Sequence, residues 1–125
     1  MNEDELLHAI IGAAIEVHRV LGPGLLESIY EEALCLELQR REIEVERQTE
    51  VIVRYKGTRL STNLRLDLTI GKLVIVEVKS VERILSVHEA QLLSYLRLSS
   101  KRLGLLINFN AAILRNSIRR IVNGL

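Results

Sequence analysis

At Ile43 the hydrophobic period of the chain changes from about 3.6 residues to 2, and this change dictates helices first and strands after. Before it, Leu6, Ile10, Ala13, Ala14, Val17 and Leu21 recur at helical spacing, and Asn2 with Glu5 has the spacing of a capping box. Residues 3–20 are therefore expected to form an amphipathic helix, ended by Gly22-Pro23-Gly24. A second helix, about 25–40, places Leu26, Ile29, Tyr30, Ala33, Leu34 and Leu38 on one side, with Glu31, Glu32 and Arg40 toward an exposed acidic flank. From Ile43 to Tyr55 apolar residues alternate with charged ones, Lys56-Gly57 turns the chain, and Leu60 to Ile70 alternates again. After Gly71, the run Leu73–Lys79 is apolar on both faces until Glu77 and Lys79, which marks a central strand. Ser86 with Glu89 has capping-box spacing and opens a helix of about 87–99; Leu103–Phe109 then reads as a buried strand. Residues 111–125 fit either a helix or a short edge strand at 117–122. The expected order is ααβββαβ, an α+β sheet domain flanked by helices.

A chain of 125 residues supports one core, so a single domain over 1–125 is expected. No apolar run approaches the roughly 20 residues of a membrane span, and the acidic start Met-Asn-Glu-Asp-Glu is unlike a secretory leader. The expectation is a cytoplasmic protein with no membrane partner. A lone cysteine, Cys35, between Leu34 and Leu36, reads as a small hydrophobe. The net charge of +1 hides a segregation: residues 1–50 carry twelve acids against four arginines, and residues 51–125 thirteen bases against four acids. Either the basic half faces a polyanion or the halves neutralise each other within the chain or across a homodimer. Three tyrosines, one phenylalanine and no tryptophan are too few for a single-strand stacking platform. His8, His18 and His88 lack zinc spacing, and His18 reads as a satisfied polar residue on the first helix. No phosphate-binding glycine loop is present.

Glu77-Val78-Lys79 puts two opposite charges at the end of an otherwise apolar strand. Such a pair is either a satisfied ion pair or part of a metal site, in which rigid carboxylates hold a cation beside a charge that orients water. Asp67 interrupts the neighbouring strand ten residues earlier, and two carboxylates brought together repel unless a cation or proton lies between them. Register decides whether they meet. A two-residue Gly71-Lys72 hairpin puts them on opposite faces; an odd loop, such as Ile70-Gly71-Lys72, or a bulge restores one face. Gln91 and Tyr95 project together from the later helix, and Glu27 lies beside the apolar stripe of the second helix, unusual for a carboxylate.

Gly24-Leu25-Leu26-Glu27-Ser28-Ile29-Tyr30 resembles the signature of the GxxExxY proteins, a bacterial and archaeal family within the PD-(D/E)XK nuclease-like superfamily. The resemblance continues through Arg65-Leu66-Asp67-Leu68, Val74–Lys79, His88–Leu96 and Gly104–Phe109, with Leu66 before the aspartate and Asn110 where members often carry glycine. It implies a restriction-endonuclease-like core with a mixed, mainly antiparallel sheet. It also implies Mg²⁺ or Mn²⁺ held by Asp67, Glu77 and the Val78 carbonyl, with Lys79 and Glu27 acting on water and Gln91 with Tyr95 supporting the site. The function so implied is metal-dependent hydrolysis of nucleic acid, DNA first; the basic half of the chain offers Arg65, Arg83, Arg97 and Arg102 as candidate phosphate contacts, and His88, three residues before Gln91, another. The alternatives are a catalytically silent nucleic-acid-binding or assembly module, and a subunit that needs a partner protein.

Overall fold

The computed structural model describes residues 1–124; Leu125, the last residue of the expected domain, lies outside them. Helices α1 (Glu3–Leu21) and α2 (Glu27–Arg40) come first, and α1 opens on the expected capping box, with Asn2 Oδ1 accepting from Glu5 N–H at 2.8 Å. Strand β1 (Val45–Val51) follows, then a separate hairpin of β2 (Arg54–Tyr55) and β3 (Thr58–Arg59), then β4 (Leu64–Ile70) and β5 (Val74–Lys79). Helix α3 (Ser86–Ser99), β6 (Leu103–Asn108), a 3-10 turn (Leu114–Ser117) and β7 (Ile118–Val122) complete the chain. Five strands form one sheet in the order β1-β4-β5-β6-β7; only β5 and β6 run parallel, joined by the crossover through α3. Helices α1 and α2 cover one face and build the larger core, around Ile10, Tyr30, Leu34 and Val76; α3 covers the other, around Leu92, Leu96 and Ile75. The fold is the expected α+β sandwich.

Several boundaries differ from the sequence expectation. The first long strand divides because Lys56 and Gly57, both at positive φ (50° and 81°), make a tight turn that pairs β2 with β3 and takes Leu60 out of the sheet. Residues 118–122 form the edge strand rather than a helix. The Ser86–Glu89 capping box is not formed; Leu85 N–H donates to His88 Nδ1 at 2.9 Å, which caps α3 in its place. On α2, Leu26 and Ile29 are 70% and 42% exposed, and Glu31, expected on the acidic flank, is buried. The helix starts at Glu27 and is rotated so that Tyr30, Leu34, Leu38 and Glu31 face the sheet. Among the described residues no helix is long and apolar enough to cross a membrane.

Candidate active site at the splayed ends of the central strands

The loop between β4 and β5 sets the site. Ile70 pairs with Val74, so the connection is the odd, three-residue Gly71-Lys72-Leu73, one residue later than the example drawn from sequence. Gly71 and Lys72 both adopt positive φ (59° and 60°), and a Cβ on Gly71 would stand 2.7 Å from Leu6 Cδ1, so the turn also seats α1. Continued along the strands, this register puts Asp67 opposite Glu77. There the regular ladder stops and carboxylates take over: Val78 N–H donates to Asp67 Oδ2 at 2.9 Å, and Asp67 N–H donates to Glu77 Oε1 at 3.3 Å. On its other side Asp67 faces Gln48, the one position missing from the β1–β4 ladder, where φ is +55°. Leu68 and Ile70 face the α1–α2 core whereas Leu66 packs with α3, so β4 changes face across Asp67. Strand parity alone therefore fails to place this aspartate.

Electrostatics follow from the geometry. Burial first, then the charge of Asp67, pushes the Glu77 carboxyl up to about 9, although the Asp67 N–H and the Lys79 ammonium pull it back. Asp67 is also raised by burial and by Glu31, against the hydrogen bonds it receives from Glu77 and Val78. Without a cation, burial and mutual repulsion leave the two carboxyls sharing a proton. Tyr95 packs against the α3-side core, and burial, with the charges of Glu77 and Asp67 next, raises its hydroxyl. Lys79, the last residue of β5, points its Nζ at Gln91 Oε1, 3.4 Å away on α3. Asp67 and Glu77 thus meet across the two strands, and Lys79 and Gln91 meet beside the end of β5.

Glu27 differs in manner. It is exposed, not core-facing, and its Oε2 accepts from Ser80 N–H at 3.1 Å while Ser80 Oγ donates to Leu25 O, which ties the start of α2 to the residue after Lys79. Tyr30 is a brace: its hydroxyl donates to Gly22 O and accepts from Leu25 N–H, and its ring stacks on Phe109 at 4.6 Å. Asn108, level with Lys79 on β6, accepts from Val81 N–H and donates to Val81 O, and Asn110 adds a second donor to that carbonyl. The exit of β5 is fixed on three sides.

The buried carboxylate of α2 is Glu31, 6% exposed, which sequence reasoning left on the surface. Arg47 Nε and Gln48 Nε2 both reach it, at 2.5 and 2.8 Å, because the positive φ at Gln48 breaks the alternation that otherwise sends consecutive strand side chains to opposite faces. Its position one turn after Glu27 was the available signal. The candidate phosphate contacts are less gathered. Arg65 pairs with Glu50 at 3.2 Å, and His88 is engaged as the α3 cap. Arg83, Arg97 and Arg102 are exposed, with no side-chain hydrogen bond or ion pair among the described residues. His18 is satisfied by Ala111 O at 2.7 Å, and Cys35 is a half-buried thiol pushed up by burial.

Among the described residues no group of three or more His, Cys, Asp or Glu side chains is arranged to hold a metal ion unaided. A buried carboxylate, Glu77, opposite a half-buried one, Asp67, is nonetheless a hard-oxygen pair that a divalent cation fits, because Mg²⁺ commonly takes one or two carboxylates and fills its remaining positions with water and phosphate. The cation would replace the shared proton.

No curated protein matches the sequence. A solved structure titled "Crystal structure of SSO0001" superposes with a TM-score of 0.58 at 24% identity, covering 78% of this chain and 50% of that one. The chain spans half the length of that protein, and the likeness concerns the fold. The family model of the PD-(D/E)XK nuclease superfamily matches residues 4–121, which include every strand and helix that builds the acid pair, so the chain belongs to the PD-(D/E)XK nuclease superfamily.

Proposed function

We propose that the protein hydrolyses phosphodiester bonds of nucleic acid, DNA before RNA, with Mg²⁺ or Mn²⁺ as cofactor. The observation that carries this reading is the direct opposition of Asp67 and Glu77, each carboxylate accepting a backbone N–H from the other's strand. Asp67, Glu77 and the Val78 carbonyl would hold the cation, which supplies Lewis-acid stabilisation of a phosphoryl oxygen. Lys79, aimed by Gln91, places a positive charge where negative charge grows on the phosphate during attack. Glu27 orders the chain after Lys79 and presents an exposed carboxylate that can orient water. The basic half of the chain, with Arg83, Arg97 and Arg102 uncommitted, supplies sequence-independent backbone contacts.

The test is a divalent-metal titration with plasmid, linear duplex and single-stranded substrates, comparing wild type with Lys79→Ala. Losing one preorganised charge should lower kcat by about 10²–10³ with metal affinity nearly unchanged. Activity that survives Lys79→Ala unchanged refutes the assignment, and metal binding without turnover on any substrate favours a silent binding module.

A further inference from the structure

Helix α2 is apolar on both sides. Tyr30, Leu34 and Leu38 are buried against the sheet, but Ile29 and Leu36, 42% and 48% exposed, form a second stripe on the outer side, with Ala33 between them partly packed against the core. An apolar stripe on the outer side of a helix already packed on its inner side marks a surface that is ordinarily covered. Helix α1 widens the patch with Val20, 63% exposed, and Leu21, and grooves of about 270 and 330 Å³ lie on either side of Leu36. One turn before Leu36 stands Glu32, and one turn after it stands Arg40. Arg40 has no carboxylate partner among the described residues, and Glu32 reaches only Arg47 Nη1 at 3.7 Å. The neighbouring charges on this side, Glu16 with Arg19 and Glu37 with Arg41, already neutralise each other.

We propose that this face binds a second copy of the chain, α2 lying antiparallel to the partner's α2 about a two-fold axis at Leu36. A two-fold interface must complement itself, and opposite charges at equal distances on either side of an apolar centre meet that condition. In the antiparallel arrangement Glu32 of each copy faces Arg40 of the other, so both ion pairs form together around a Leu36–Leu36 contact. A partner of uniform charge, acidic or basic, would leave one of the two facing its own sign. Glu27 lies nine residues from Leu36, roughly 13 Å along the axis at about 1.5 Å per residue, so the two acid pairs stay at opposite ends and open. The inference is independent of the proposed reaction.

Sedimentation equilibrium on the wild type should show a concentration-dependent monomer–dimer equilibrium, and Leu36→Glu should give a monomer of unchanged circular dichroism, since the side chain is half exposed. Arg40→Glu and Glu32→Arg should each weaken the dimer about tenfold or more by setting like charges face to face, and the double variant should recover wild-type affinity. A wild type that stays monomeric into the high micromolar range overturns the proposal. So does a dimer indifferent to Leu36→Glu, or a double variant no tighter than its singles.

Discussion

Replacing Glu77 by glutamine should stabilise the metal-free protein, and by an amount that grows with pH. In the folded chain Glu77 keeps its proton to about 9, against an ordinary value of 4.5, because burial and the neighbouring Asp67 both oppose its charge. A folded value raised above the unfolded one means that the folded state binds more protons between those limits. Stability is therefore full below about 4.5 and declines as pH rises toward 9, as follows from proton linkage. Each unit between is worth about 1.4 kcal/mol, so the loss reaches roughly 3 kcal/mol at pH 7 and is under about 1 kcal/mol at pH 5. Glutamine matches the protonated acid in size and cannot ionise in the unfolded chain, so the variant escapes the loss. For a domain of 125 residues, 3 kcal/mol corresponds to about 10 °C in Tm. The assay is urea unfolding of both proteins in EDTA from pH 5 to 8, read as the difference between them. A difference that stays flat across that range, or a variant less stable than wild type at pH 8, refutes the shared-proton account.

Saturating Mg²⁺ or Mn²⁺ should raise the wild-type Tm, by about 2.7 kcal/mol of stability at a hundred times Kd, and Asp67→Asn should abolish the increment; an undiminished shift in differential scanning fluorimetry moves the site elsewhere. Gly71→Ala should destabilise by about 2 kcal/mol or more, since it combines a positive φ with a 2.7 Å approach to Leu6; near-neutral chemical denaturation would contradict the turn geometry. Tyr30→Phe should cost about 1–3 kcal/mol by leaving Gly22 O and Leu25 N–H without their partner, with the stacking on Phe109 retained; no change would mean water serves both groups equally well.

What could be read from the chain and what could not divide along a physical line. Periodicity located α1, which buries one regular face, and unbroken apolar runs located β5 and β6, which are buried on both faces; α3 was placed by a capping box that its own cap at His88 replaces. It overextended the first strand, since alternation persists through Ile52 to Tyr55 while the turn at Lys56-Gly57 folds those residues onto a hairpin of their own. It also misjudged α2, where two apolar stripes compete and the buried one is chosen by the sheet beneath it. Of the acid cluster, Asp67 and Glu77 were legible because a carboxylate inside an apolar strand contradicts its surroundings. Glu31 sits among other acids on a helix of mixed pattern, and only the Arg47 and Gln48 side chains, brought together by an irregular backbone, distinguish it.

The register is where stability and chemistry are traded. An even, two-residue hairpin at Gly71-Lys72 would have kept the ladder regular and sent Asp67 and Glu77 to opposite faces. The three-residue loop instead brings two acids together in a buried setting and replaces ladder bonds with carboxylate–amide bonds. That arrangement costs the metal-free fold roughly 3 kcal/mol at pH 7, where Glu77 must carry a proton that the unfolded chain has lost. The cost is tolerable because the surrounding elements over-determine the geometry: Leu6 fills the space that a side chain at position 71 would need, and Asn108 with Glu27 fixes the strand beyond Lys79. A cation held by the two carboxylates would take the place of the shared proton and favour their charged forms. Because Glu77→Gln removes both the need for that proton and a carboxylate that would hold the cation, Mg²⁺ at pH 7 should stabilise the wild type and add little to the variant, so the two effects should not be additive.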